Sequence, residues 1–235
     1  VVARPVVAGP PEDLLRRSDV SLLAPASFRA SLTITTRGKA VGLQVWRSGE
    51  SDLLVQFLGE ADEGKFLLRR EGVLYFIAPR ARKPIRLNPS YRLSGAASLD
   101  EILGTRYAQA YTVVRSSPEG SGDAIVLHLQ AVDPKAQFPV VRYVVERTTS
   151  RPTRVEFDLR GGKTARVVEF IRWAEGPRVH PARLRIRDEL NPQATAEVDI
   201  LSVEPRPVPA GLFDLADDSE RRKLRPPAPD SSSQR

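Results

Sequence analysis

The 235-residue sequence contains no cysteine. Disulfide scaffolds, thiolate metal sites, iron–sulfur clusters and a cysteine nucleophile are therefore excluded. It has two histidines, His128 and His180, too few for a multi-histidine metal site. Methionine is absent, even at position 1. No run approaches the roughly 18 consecutive apolar residues of a membrane-spanning helix. The chain opens Val1-Val2-Ala3, without a basic stretch leading into an apolar one. The expectation is a mature or trimmed fragment from which any signal peptide has been removed.

What is present has a globular balance, with 41% hydrophobic and 28% charged residues, and the length suffices to bury a sizeable core. The net charge is +7, and it is unevenly placed. Residues 69–92 hold Arg69, Arg70, Arg80, Arg82, Lys83, Arg86 and Arg92 against Glu71 alone, which is six of the seven excess charges. The basic residues divide into 30 Arg and 6 Lys, with 20 Pro. This bias fits a GC-rich genome as well as it fits a nucleic-acid binder.

Residues 1–10 read as a flexible lead-in and 225–235 as a disordered tail, with one domain over 11–224. Pro11–Asp19 reads as a short helix, with acids in its first turn and arginines near its end. From residue 27 the apolar period becomes two: Phe28, Ala30, Leu32 and Ile34, then Val41, Leu43 and Val45. Further segments, 52–58, 65–70 and 73–78, are separated by Gly-containing turns, the mark of an antiparallel meander. Prolines 79, 84 and 89 interrupt the pattern. Ser98-Leu99-Asp100-Glu101 has the spacing of a capping box, opening a helix that runs to Leu103 with Gly104 at its end. Strand patterns resume over 108–115, 124–130, 140–147, 153–160, 163–174, 182–188 and 195–203. Gly161-Gly162 reads as a two-residue hairpin turn, since both residues can take positive φ. The total is about eleven or twelve strands with few helices and no βαβ rhythm, so a large antiparallel sheet that must curl is expected.

No catalytic constellation is found. Gly162-Lys163-Thr164 lacks the remaining glycine of a phosphate loop and sits between strands. Both histidines are expected to be structural. Acid pairs such as Asp62-Glu63, Asp188-Glu189 and Asp217-Asp218 fall in turns or strand ends, where neighbours point to opposite faces. The basic stretch 69–92 admits three interpretations: phosphate neutralisation with Tyr75, Phe76 and Tyr91 stacking on bases, contact with an anionic membrane headgroup, or solvated arginines on a loop.

Gly64-Lys65-Phe66-Leu67-Leu68 followed by Leu74-Tyr75-Phe76-Ile77-Ala78-Pro79 resembles the central motif of the outer-membrane lipoprotein-sorting protein family, LolA/LolB-like. So do Lys83-Pro84-Ile85-Arg86-Leu87 and the stretch Tyr91–Ile102. Arg16-Arg17-Ser18-Asp19 and Ser31–Thr36 fit the family's opening, and Pro152–Phe157 with Leu212-Phe213 fit its end. The resemblance spans about residues 12–215. Tyr75 stands where the family often has Trp, Ala110-Tyr111-Thr112 replaces Asp-Tyr-Thr, and Ile77 replaces an aromatic.

The resemblance implies a mainly β (α+β) fold: a strongly curved, unclosed antiparallel half-barrel of about eleven strands, with short helices as a lid. It implies a periplasmic carrier, not an enzyme, holding lipid, lipoprotein acyl chains or another hydrophobic ligand in a cavity between sheet and lid. The expected lining is Leu32, Ile34, Leu43, Val45, Val55, Phe57, Tyr75 and Ile77, with Ile102 and Leu103 from the lid. Arg80, Arg82, Lys83, Arg86 and Arg92 are the expected contacts for an anionic headgroup or a partner. An inner-membrane exporter of the resistance–nodulation–division type is the expected envelope partner. Peripheral membrane contact is compatible with this, nucleic acid is not expected, and neither metal nor cofactor is required. The expected state is a monomer, with any lipid anchor lying outside this sequence. The alternative function is a periplasmic sensor or adaptor acting through protein–protein contacts.

Overall fold

The computed structural model describes residues 10–22, 26–49, 52–79, 81, 83–88, 91–103, 105–175 and 179–224, with Asp100 and Leu103 described as backbone. The expected lead-in (apart from Pro10), the tail, Gly104, Arg80 and Arg82 lie outside these residues. Helix α1 spans Pro11–Leu22, with Glu12 and Asp13 in its first turn. The carbonyl of Pro10 accepts the N–H groups of Asp13 and Leu14 at 2.8 and 3.3 Å. The helix runs one turn past Asp19, so Arg16 and Arg17 sit mid-helix and its last turn holds no basic residue. Its buried side is Leu14, Leu15, Ser18, Asp19 and Leu22. The other helices are short: α2 (Leu99–Leu103), α3 (Tyr107–Ala110) and α4 (Ser219–Arg222).

The strands are β1 (Ser27–Thr36), β2 (Lys39–Ser48), β3 (Asp52–Phe57), β4 (Phe66–Arg70), β5 (Val73–Ile77), β6 (Ile85–Arg86) and β7 (Tyr111–Pro118). They continue as β8 (Ala124–Ala131), β9 (Val140–Glu146), β10 (Pro152–Asp158), β11 (Thr164–Ala174), β12 (His180–Asp188) and β13 (Ala196–Pro205). All thirteen join one sheet in the order β6-β5-β4-β3-β2-β1-β13-β12-β11-β10-β9-β8-β7, which begins and ends on different strands and is therefore unclosed. The fold is mainly β and antiparallel with short helices, as the sequence pattern implied. The strand beyond the expected count is β6, two residues inside the proline-interrupted stretch. Its Arg86 and Ile85 pair with Tyr75 and Phe76.

Two local expectations change. Between β10 and β11, Leu159 and Lys163 close the turn (N···O 2.9 Å), and only Gly162 of the glycine pair has positive φ, at 78°. This is a three-residue loop ending in a left-handed residue rather than a two-residue turn. Ahead of β7, residues 107–110 form one helical turn where a strand was expected.

By contact density the chain divides into two compact units. The first comprises residues 1–24, 35–39 and 92–199; the second comprises 25–34, 40–91 and 200–235. In the first unit, register puts Leu127, Tyr143, Val155, Val168, Ile186 and Ala196 in one row on one sheet face. Tyr143 meets Ser18 of α1 there, Oη···Oγ 2.6 Å. The other face carries an ion-pair lattice: Arg142–Glu156 at 2.6 Å, Arg154–Glu119 at 2.6 Å, Arg187–Glu169 at 3.0 Å, Arg185–Glu197 at 2.9 Å and Arg183–Asp199 at 2.7 Å. Val144, paired with Arg154 of β10, is buried on that charged face.

Candidate functional site: an apolar sheet face and its neighbours

The pairing Leu43–Phe57, Val45–Val55 and Val55–Leu67, then Leu67–Phe76, defines one face of the second unit. Arg29 and Ser31 both donate to Oε1 of Gln44, at 3.1 and 3.2 Å. Gln44 alternates with Leu43 and Val45, so Arg29 and Ser31 lie on the opposite face. Phe28, Ala30, Leu32 and Ile34 therefore share the face of Leu43 and Val45. Leu32, Ile34, Leu43, Val45, Val55 and Leu67 are each at most 2% exposed, and Phe57 is half-buried.

Tyr75 and Ile77 do not join them. Tyr75 pairs with Leu68, and Ile77 with Phe66. These side chains pack against the cluster of Trp46, Leu54, Phe66, Leu68, Leu212 and Phe213, as do Val208, Leu215 and Leu224 of the C-terminal segment. That segment is tied to the same face by polar bonds: Arg70 donates to the Phe213 carbonyl at 2.7 Å, and Gln56 to the Leu224 carbonyl at 3.4 Å. The expected single lining of eight sheet residues is thus corrected to six on one face and two on the other, because an odd number of positions separates them along the pleat. Phe76, Leu67 and Leu53 take the places that Tyr75 and Ile77 were given. The signal that hid them is the unbroken apolar run at 53–55, 66–68 and 73–77, which carries no alternation to read.

The expected lid residues belong to the first unit. Ile102 of α2 is buried, and Leu103 ends that helix. The glutamate arm of the capping box forms: Oε2 of Glu101 accepts the Ser98 N–H at 3.0 Å and its hydroxyl at 2.8 Å. The other carboxylate oxygen of Glu101 pairs with Arg166 of β11, whose second nitrogen lies 3.4 Å from Asp188. Arg166 shares its face with Val168 and Phe157. A buried guanidinium on the apolar side thus holds α2.

Asp19 of α1 plays the matching part for α3. Its two carboxylate oxygens accept the N–H groups of Tyr107 and Ala108, at 3.1 and 2.7 Å. Burial raises its pKa to about 6, against the lowering pull of those amides and of Arg106. Burial also pushes Tyr143 and Tyr107 well up, so both phenols stay neutral. Their rings lie 4.8 Å apart.

The expected basic contacts are spread out. Lys83 and Arg86 are exposed on the second unit. Arg92 belongs to the first unit, where it donates to the Ala96 carbonyl at 3.3 Å and lies 4.0 Å from Glu101. His128 sits on the charged face, its Nε2 3.2 Å from Arg115, and burial with the charges of Arg115 and Arg142 lowers its pKa. Among the described residues, no group of three or more His, Cys, Asp or Glu side chains is placed to hold a metal ion. No described helix is long and apolar enough to cross a membrane.

Three solved structures share this architecture. A LolA superfamily protein from Nitrosomonas europaea is 21% identical, with a TM-score of 0.73, over 86% of this chain and 96% of that one. A domain named for outer membrane lipoprotein sorting, from Vibrio parahaemolyticus, is 13% identical, with a TM-score of 0.66, over 86% and 94%. A DUF1329 family protein from Desulfovibrio piger is 16% identical, with a TM-score of 0.67, over 90% and 98%. No curated protein matches the sequence. A family model described as "-like: Uncharacterized protein" matches residues 49–217. The chain belongs to that family, and its fold is LolA-like.

Proposed function

We propose that the protein is a non-enzymatic periplasmic carrier that holds a lipid, a lipoprotein acyl chain or a similar hydrophobic ligand. The observation that carries this reading is the apolar face of the second unit, where Leu32, Ile34, Leu43, Val45, Val55 and Leu67 come together from four strands in register. The LolA-like fold supports it. An acyl chain is recognised by contact area alone, at about 0.8 kcal/mol per buried CH₂. Burying about ten CH₂ groups offers about 8 kcal/mol, near a micromolar dissociation constant. Such binding is reversible, as transfer requires. Phe57, half-buried on the same face, is a proposed additional ligand contact.

The finer assignments follow from the same reading. Arg80, Arg82, Lys83, Arg86 and Arg92 receive an anionic headgroup or a partner. The carrier serves an envelope export system whose inner-membrane member is an exporter of the resistance–nodulation–division type. Native mass spectrometry of protein purified without detergent tests the central point. A co-purified mass that extracts as lipid is expected. A homogeneous apo mass that stays unchanged after incubation with lipid vesicles argues against the carrier.

A further inference from the structure

In the first unit, β11 loses register with β12 near its end. Phe170 pairs with Leu184, Arg172 with Arg183 and Trp173 with Pro181, with a shift on either side of Arg172. Residues three apart on a regular strand point to opposite faces. Here the irregularity brings two of them together: the Phe170 and Trp173 rings stack with centroids 5.7 Å apart and planes 18° apart. Bulges re-aim side chains in this way and are over-represented at sheet edges, barrel rims and beside active sites. Neither ring is packed away. Both are half-buried, and Ile171 between them is 49% exposed.

Cations gather around this pair. The guanidinium of Arg151 lies over the Trp173 ring, 5.8 Å from its centroid. The preceding Ser150 accepts a hydrogen bond from Nε of Arg17 at 3.2 Å, which brings α1 to the same rim. Arg17 and Arg172 are exposed. Of the neighbouring acids, Asp199 is gripped by two nitrogens of Arg183 at 2.7 and 2.9 Å, while Glu146 accepts the uncharged Thr149 hydroxyl at 2.7 Å. Arg17, Arg151 and Arg172 together outweigh Glu146 and Glu175, so the rim is net positive.

We propose that this rim docks on an anionic lipid bilayer, with Phe170 and Trp173 seated at headgroup level and Arg17, Arg151 and Arg172 against the lipid phosphates. Tryptophan with one apolar and one wet end suits that boundary, and arginine beside it adds attraction that depends on anionic lipid. The docking needs no bound cargo, so it stands or falls separately from the carrier assignment. It also differs in place from the basic stretch 69–92.

The chain has two tryptophans, Trp46 and Trp173, so in a Trp46→Phe variant the fluorescence reports Trp173 alone. The full chain is titrated with phosphatidylcholine vesicles, with and without phosphatidylglycerol. Expected are a blue shift and quenching by lipid brominated near the headgroup, only with phosphatidylglycerol and weakened by salt. Reversing the exposed Arg17 and Arg172 to Glu should weaken vesicle binding about tenfold. Vesicle co-sedimentation of Trp173→Ala, with Trp46 intact, gives the same decision if Trp46→Phe does not fold, and loss of binding is expected. No shift or quenching, or undiminished binding after the arginine reversals, overturns the proposal. So does equal binding to vesicles without phosphatidylglycerol, or loss of binding on reversing Lys83 and Arg86 instead.

Discussion

Replacing Arg166 by methionine tests how α2 is held. Arg166 is 2% exposed and pairs with Glu101 and Asp188. Asp188 keeps other partners if the guanidinium goes, since its Oδ1 accepts the N–H groups of Leu190 and Asn191 at 3.0 and 3.1 Å. Glu101, with its side chain 7% exposed, loses its charge partner on β11 in this variant, while its contacts to Ser98 and Arg92 stay in place. Methionine fills much of the volume, so the loss is mainly electrostatic. Removing one member of a buried ion pair costs about 3–5 kcal/mol. At about 2–4 °C per kcal/mol for a chain of this size, the melting temperature should fall by about 6–20 °C. Adding Glu101→Gln removes the matching negative charge and keeps an acceptor for the Ser98 amide, so Arg166→Met with Glu101→Gln should recover most of the loss. Urea and thermal melts of the two single variants and the double variant complete the cycle. A cost for Arg166→Met under about 1 kcal/mol, or a double variant as unstable as the sum of the singles, refutes the reasoning.

Asp19 gives a pH signature. Its folded pKa is raised from 3.8 to about 6, so the folded state binds the proton more tightly than the unfolded chain. Its contribution is full below pH 4 and fades as pH rises through 6. The stability difference between wild type and Asp19→Asn should therefore change across pH 4–6 in chemical denaturation, and a constant difference contradicts the assignment. Gly95→Ala should cost well over about 1 kcal/mol, because φ is +55° and a Cβ would meet Thr36 at 2.7 Å and the Ala194 carbonyl at 2.8 Å. Gly72→Ala, at φ +76° with nothing within 4 Å, should cost only about 1 kcal/mol. Equal melts for the two would remove the packing argument. Phe213→Ala should cost about 3–5 kcal/mol, since Phe213 is 2% exposed in the cluster with Trp46, Leu54 and Phe66. Near-neutral denaturant unfolding of that variant would mean the C-terminal segment contributes little.

The strands were legible wherever one face is wet. Phe28, Ala30, Leu32 and Ile34 alternate cleanly with polar residues, and β1 folds with that alternation. Face assignment failed at Phe66-Leu67-Leu68 and Val73–Ile77, where both sides of the sheet are covered and the apolar run has no period. The cover on the second side is Leu212, Phe213, Leu215 and Leu224, a long-range partner that no local pattern announces. The capping box at Ser98 was readable because it is local chemistry, whereas Arg166 as the other partner of Glu101 was not. The two are 65 positions apart, and an arginine in an alternating strand reads as solvent-facing. The +7 charge likewise said nothing of Arg151 stacked on Trp173, because that contact depends on a register shift.

Binding of a fluorescent acyl probe to purified protein tests the central claim most directly. The account predicts saturable uptake near micromolar, from about ten buried CH₂ groups, competed by long-chain lipid. Phe57→Asp, on the face of Val55, should abolish it, while Ile77→Ser, on the opposite face, should leave the affinity unchanged. Absence of uptake by folded protein, or equal loss in both variants at unchanged melting temperature, would contradict it.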